Sequence, residues 1–124
     1  MKEKAVVVRS FNRRDPVLIN PLSPFTRQRI EEGLGGEITA DHDEFGFRYR
    51  ITFPDNPYGA SIIKRVGSYG MENDDWELAV TYDGHLYYDS PITGDAVFYL
   101  PEEELIDILA QIRNLNSSPY GEIQ

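Results

Sequence analysis

The chain contains no cysteine, which excludes disulfide staples, zinc–thiolate centres and cysteine nucleophiles together and suits a reducing compartment. No apolar run approaches the roughly 18 residues that span a bilayer. The start, Met1-Lys-Glu-Lys, lacks the apolar stretch of a signal peptide. A cytoplasmic protein without membrane contact is therefore expected. Catalytic signatures are equally sparse. There is no Gly-x-Ser-x-Gly elbow, and Gly67-Ser-Tyr-Gly70 lacks the Gly-Lys-Ser/Thr ending of a phosphate loop. Basic residues are few: 12 Lys and Arg stand against 21 Asp and Glu, for a net charge of −9.

That charge is unevenly spread. Residues 1–36 hold seven basic and four acidic side chains, a balance of +3, so the remainder carries −12. Between Val66 and Ile112 there is no Lys or Arg but there are eleven acids. A one-signed field of this kind draws basic partners and repels nucleic acid. It also keeps a small protein soluble with no further purpose. Arg9, Phe11, Arg13 and Arg14 place cations beside an aromatic, a pattern that suits nucleic acid, but the acidic remainder disfavours direct nucleic-acid binding.

At 124 residues the chain is one domain, and such a domain buries roughly two-thirds of its unfolded surface without metal or disulfide support. Residues 1–115 are expected to form it, with 116–124 as a frayed tail. The densest segment runs from Asp75 to Asp89. Trp76, Leu78, Val80 and Tyr82 alternate with Glu77, Ala79 and Thr81, which is the period of a strand. Asp83-Gly84 is a preferred pair for a two-residue type I′ turn. Folding back there sets His85 opposite Tyr82, Tyr87 opposite Val80 and Tyr88 opposite Ala79. This hairpin is expected at the centre of the sheet, with Trp76 in the core.

Elsewhere, Lys4–Ser10 reads as a first strand and Val17–Ile19 as a short apolar patch. Ser23 and Pro24 open a short helix over Thr26–Leu34. Glu37–Ala40 suggests a strand and Asp41–Glu44 a turn. Phe45, Phe47, Tyr49, Ile51 and Phe53 alternate with Arg48, Arg50 and Thr52, a half-buried strand whose arginines are expected to pair with carboxylates of a neighbouring strand. Pro54–Gly59 reads as turn throughout, and Ala60–Val66 as a strand. Pro101, with Glu102, Glu103 and Glu104, starts a last helix, and Leu105, Ile108, Leu109, Ile112 and Leu115 form its apolar stripe. The fold class is α+β: an antiparallel sheet with a short helix in the first half and a C-terminal helix packed on one face.

Candidate chemistry is thin. His42 between Asp41 and Asp43 has the residue types of a cation site, but strand neighbours point to opposite faces, and a solvated turn is the simpler reading. His85 reads as an exposed partner of Tyr82, and Asp74 with Asp75 as the solvated lip of a strand. No metal or other cofactor is expected, and no enzymatic activity.

The pattern Gly67-Ser-Tyr-Gly, Asp75-Trp-Glu-Leu-Ala-Val80, Asp83-Gly84, Tyr88-Asp-Ser-Pro-Ile-Thr93 and Tyr99-Leu-Pro-Glu-Glu103 resembles a group of small accessory proteins encoded by bacteriophages. The resemblance covers residues 58–115, with Ser90 and Pro101 where threonine is usual. It implies a phage or prophage setting and the host cytoplasm, not a chemistry. In that setting the acidity suggests a stoichiometric inhibitor of the anti-CRISPR or anti-restriction kind, whose carboxylates imitate phosphates and occupy the basic nucleic-acid surface of a host defence protein. The expected contacts are Asp74, Asp75, Glu77, Asp83, Asp89, Asp95, Glu102 and Glu103. The alternative is a non-catalytic phage structural or protein–protein interaction module that uses exposed Tyr and Trp side chains. An enzyme is the third reading, and it needs the acids and histidines to converge in a cleft.

Overall fold

The structure is a computed structural model that describes residues 4–8, 17–66, 74–92 and 96–115. Its elements run β1 (Val6–Val8), β2 (Val17–Ile19), α1 (Pro24–Gln28) with a π-helical turn over Arg29–Gly33, β3 (Glu37–Asp43), β4 (Gly46–Phe53) and β5 (Asn56–Arg65). They continue with β6 (Trp76–Tyr82), β7 (His85–Leu86), β8 (Val97–Leu100), a 3-10 turn over Glu102–Glu104 and α2 (Leu105–Arg113). β1 and β2 form their own two-stranded ladder; the main antiparallel sheet has the order β3-β4-β5-β6-β7, with β8 also on β6. The fold is α+β, an antiparallel sheet with helices over one face.

Alternation builds that sheet. On β4, Phe47, Tyr49, Ile51 and Phe53 are buried while Arg48, Arg50 and Thr52 are exposed. The register carries the inward face across to Ala60, Ile62 and Lys64 on β5 and to Leu78 and Val80 on β6. Ile19, Leu22, Ile30, Leu105, Ile106, Leu109 and Ile112 cover this face, each worth about 1.5–3 kcal/mol when fully buried. α2 lies against β5 and reaches the π-helical turn. Tyr49 keeps its hydroxyl satisfied in this layer by accepting the Leu22 N–H at 3.2 Å.

Several local expectations hold. Asp83 and Gly84 take φ 50 and 82, both positive as a type I′ turn demands. His85 pairs with Tyr82, and Trp76 is fully buried. Ser23 caps α1, its Oγ accepting the Thr26 N–H at 3.1 Å, with Pro24 in the first turn.

Others need correction. The Trp76 hairpin is not central: β4, β5 and β6 form the middle, and β7 is two residues long. The Tyr87 N–H still bonds the Val80 carbonyl at 2.9 Å, but Tyr88 does not sit opposite Ala79. β8 takes over that edge, pairing with Leu78 and Trp76. The turn assigned to Pro54–Gly59 shrinks to Pro54-Asp55. Asn56 Oδ1 accepts the Tyr58 N–H, and β5 begins at Asn56. Likewise β3 extends to Asp43, and the reversal falls on Glu44-Phe45. Phe45 is therefore exposed rather than inward. Gly46 follows at φ +135, where an added Cβ would lie 2.3 Å from the Lys64 carbonyl, so only glycine fits. The Ser10–Pro16 loop with its basic residues, the Gly67–Gly70 loop, Asp95 and the tail lie outside the described residues.

Candidate functional site

The acids expected to meet a partner are divided by the fold. Asp74 and Asp75 stand before β6, and Asp83 stands after it, roughly 25 Å away along the strand. Glu77 is half-buried on the outward face between them, and Asp89 is exposed in the segment after β7. Asp74 and Glu102 are engaged internally. Asp74 Oδ1 lies 2.6 Å from Lys64 Nζ, and that ammonium also sits 4.3 Å above the Trp76 ring. Lys64 is only 1% exposed. Its charge is matched by one carboxylate and one aromatic face, as a buried cation requires.

Glu102 is the second. One Oε accepts the Ser23 N–H at 3.2 Å and the Thr26 hydroxyl at 2.7 Å; the other accepts the Trp76 indole N–H at 3.3 Å. A carboxylate at the head of the C-terminal helix thus satisfies donors from α1 and from the core tryptophan, and charge-assisted bonds of this kind are the strong ones. Its neighbours Glu103, Glu104 and Asp107 stay exposed. Glu102 holds their turn rigid.

The histidines do not converge. His42 lies on β3 and His85 on β7, at opposite edges of the sheet, about 19 Å apart by strand spacing. His42 stacks on Phe47, with ring centroids 5.9 Å apart. Asp43 faces away from it, paired with Arg65 at 3.0 Å. That guanidinium, helped by the Phe45 N–H, holds the Asp43 carboxyl below the usual carboxylate range. Among the described residues no three His, Asp or Glu side chains are grouped as metal ligands.

Exposed side chains gather, among the described residues, on the outward face of the sheet and on the β8 edge. Trp76 pairs with Leu100 and Leu78 with Val97, so Phe98 and Tyr99 together oppose Glu77: a β-bulge. The extra residue lets both Val97 and Leu100 turn to the core, and Tyr99 takes φ 56. Phe98 and Tyr99 are exposed, as are Leu86 on β7 and Tyr88 after it, at the Thr81 end of β6. On the outward face Arg48 and Arg50 are exposed, and among the described residues neither forms an ion pair, not even Arg48 with Asp41 directly opposite.

No protein-family model, curated protein or solved structure matches this chain. The surface itself has to carry the functional argument.

Sequence reasoning missed the burial of Lys64, the internal role of Glu102, expected there as a partner contact, and the bulge at Phe98-Tyr99. Lys64 falls in phase with Ala60 and Ile62, a signal that was present in the alternation. Glu102 was read as a helix-dipole acid, because nothing in the local sequence points back to Ser23. The bulge at Phe98-Tyr99 shows only as an odd spacing between the inward residues Val97 and Leu100.

Proposed function

We propose that this protein is a non-catalytic accessory protein, in keeping with its resemblance to phage proteins, that works by binding another protein through the β8 edge. The carrying observation is the bulge. It spends backbone strain on holding Phe98 and Tyr99 outward, and both side chains are exposed. Large aromatics exposed together on a rigid edge are the usual anchors of interfaces.

A second reading is favoured by Glu103, Glu104 and Asp107, which stay exposed on a turn fixed by Glu102. In it, a carboxylate surface occupies the basic nucleic-acid site of a host defence protein. One pull-down from host lysate separates the two. If aromatic anchoring operates, the retained protein survives moderate salt and is lost with Phe98→Ser/Tyr99→Ser. If phosphate mimicry operates, it is released by salt and lost with Glu103→Gln/Glu104→Gln/Asp107→Asn. Retention indifferent to both variants removes both readings.

A further inference from the structure

The outward face is shaped as well as open among the described residues. Across β4, β5 and β6 its residues form two rows, Arg48–Ile63–Glu77 and Arg50–Ser61–Ala79. The second row has small side chains beyond Arg50, so the floor drops there. Leu86, Tyr88 and Ala96 rise along the far side. The result is a half-open groove of about 370 Å³, within the size range of small-molecule sites.

Its polar lining is mainly cationic and neutral, and the one carboxylate among the described lining residues, Glu77, stands two strands away from Arg48. Arg48 and Arg50 stand on one border, with Ser61 and Thr81 in the floor and His85 and Tyr88 on the wall. The two arginines are alternate residues of one strand face, so their backbones are about 7 Å apart. Guanidinium forks at that spacing can close on a single oxyanion from two sides. In a chain of net charge −9 these are exposed cations with no carboxylate partner among the described residues. Ile63, Ala79 and the Tyr88 ring supply an apolar floor and a flat wall for the rest of a ligand.

The charge balance also limits what enters. A polyanion such as RNA would meet two arginines and then an acidic molecule. A small molecule can set its one anionic group on the arginines of β4 and keep it two strands away from Glu77. We infer that this groove is a binding site for a small organic anion, its phosphate or carboxylate held by Arg48 and Arg50 and its flat apolar body laid over Ile63 and Ala79 against Tyr88. The anion-holding end of the site is separate from the partner-binding edge: β4 lies three strands away from β8, and the test leaves Phe98 and Tyr99 unaltered.

The test is an amide NMR titration of the full chain with four probes. They are adenosine 5′-monophosphate, 1-naphthoate, adenosine and inorganic phosphate. The expected result is saturable shifts at Arg48, Arg50, Ser61 and Ala79 with one or both of the first two probes, and weaker or no shifts with the last two. Preference between the first two assigns the anion as phosphate or carboxylate. Arg48→Gln/Arg50→Gln should weaken that binding at least tenfold while leaving amides on the helical side unmoved. Three outcomes overturn the site. They are no saturable shift at these amides with any probe, equal shifts with adenosine, or unchanged affinity in the double variant.

Discussion

Lys64 and Asp74 form a lopsided pair: the lysine is 1% exposed and the aspartate 54%. Removing either partner therefore has unequal consequences. Asp74→Asn keeps the side-chain shape and tolerates the positive φ of 61 at this position. It leaves the buried ammonium a neutral amide oxygen and the Trp76 face but no counter-charge, and should cost about 2–3 kcal/mol. Lys64→Met fills the same space with an apolar chain and frees Asp74 into water, so its cost should stay under about 1 kcal/mol. Urea denaturation of the two variants measures both. A larger loss for Lys64→Met than for Asp74→Asn would show that the ammonium, not its burial, stabilises this corner.

At the scale of elements, the bulge in β8 is where local strain is exchanged for packing. Tyr99 at φ 56 is a position that glycine accepts freely and β-branched residues resist. Tyr99→Gly should match or exceed the parent in thermal stability, and Tyr99→Val should fall about 2 kcal/mol below the glycine variant. Equal stability of the two would mean the backbone relaxes at no cost. Element types were legible wherever alternation was long: β4 and β6 appear in the sequence as plain period-two runs, and Asp83-Gly84 announces its turn. Boundaries were lost where side chains override turn composition. Asn56-Pro57 reads as loop, yet the Asn56 carboxamide caps the Tyr58 N–H and also donates to the Arg113 carbonyl at 2.7 Å. The strand therefore starts four residues early. The placement of the sheet's centre failed for a related reason. The Trp76 segment has the stronger local pattern, but β5, with ten residues, is the strand long enough to pair fully on both sides.

For the whole molecule, one carboxylate ties the layers together. Glu102 joins the capped start of α1, the indole of β6 and the head of the C-terminal helix. Glu102→Ala would leave the Trp76 N–H, the Ser23 N–H and the Thr26 hydroxyl without their acceptor, at about 3 kcal/mol. Its unfolding midpoint in urea should drop with an unchanged slope. Glu103→Ala, one residue along and exposed, should be near neutral. If the two variants behave alike, the Glu102 contacts carry no stability. None of this was visible in composition, which showed three glutamates in a row and no reason to separate the first from the others. The candidate site was legible in the same partial way. The sequence exposed the acids and the arginines of β4, but only the register shows that Arg50 lies between Thr39 and Ser61 and that Arg48 has Asp41 opposite without an ion pair among the described residues.

The reach of Glu102 bears on how the chain is made. Its acceptor oxygens meet a donor 79 residues earlier in the chain and another 26 residues earlier. During synthesis the early helix and the sheet tryptophan therefore emerge long before the group that completes them. A ribosome paused ahead of residue 102 presents a chain whose core tryptophan still has an unanswered indole N–H, and folding of the domain waits until Glu102 and the helix behind it have been made.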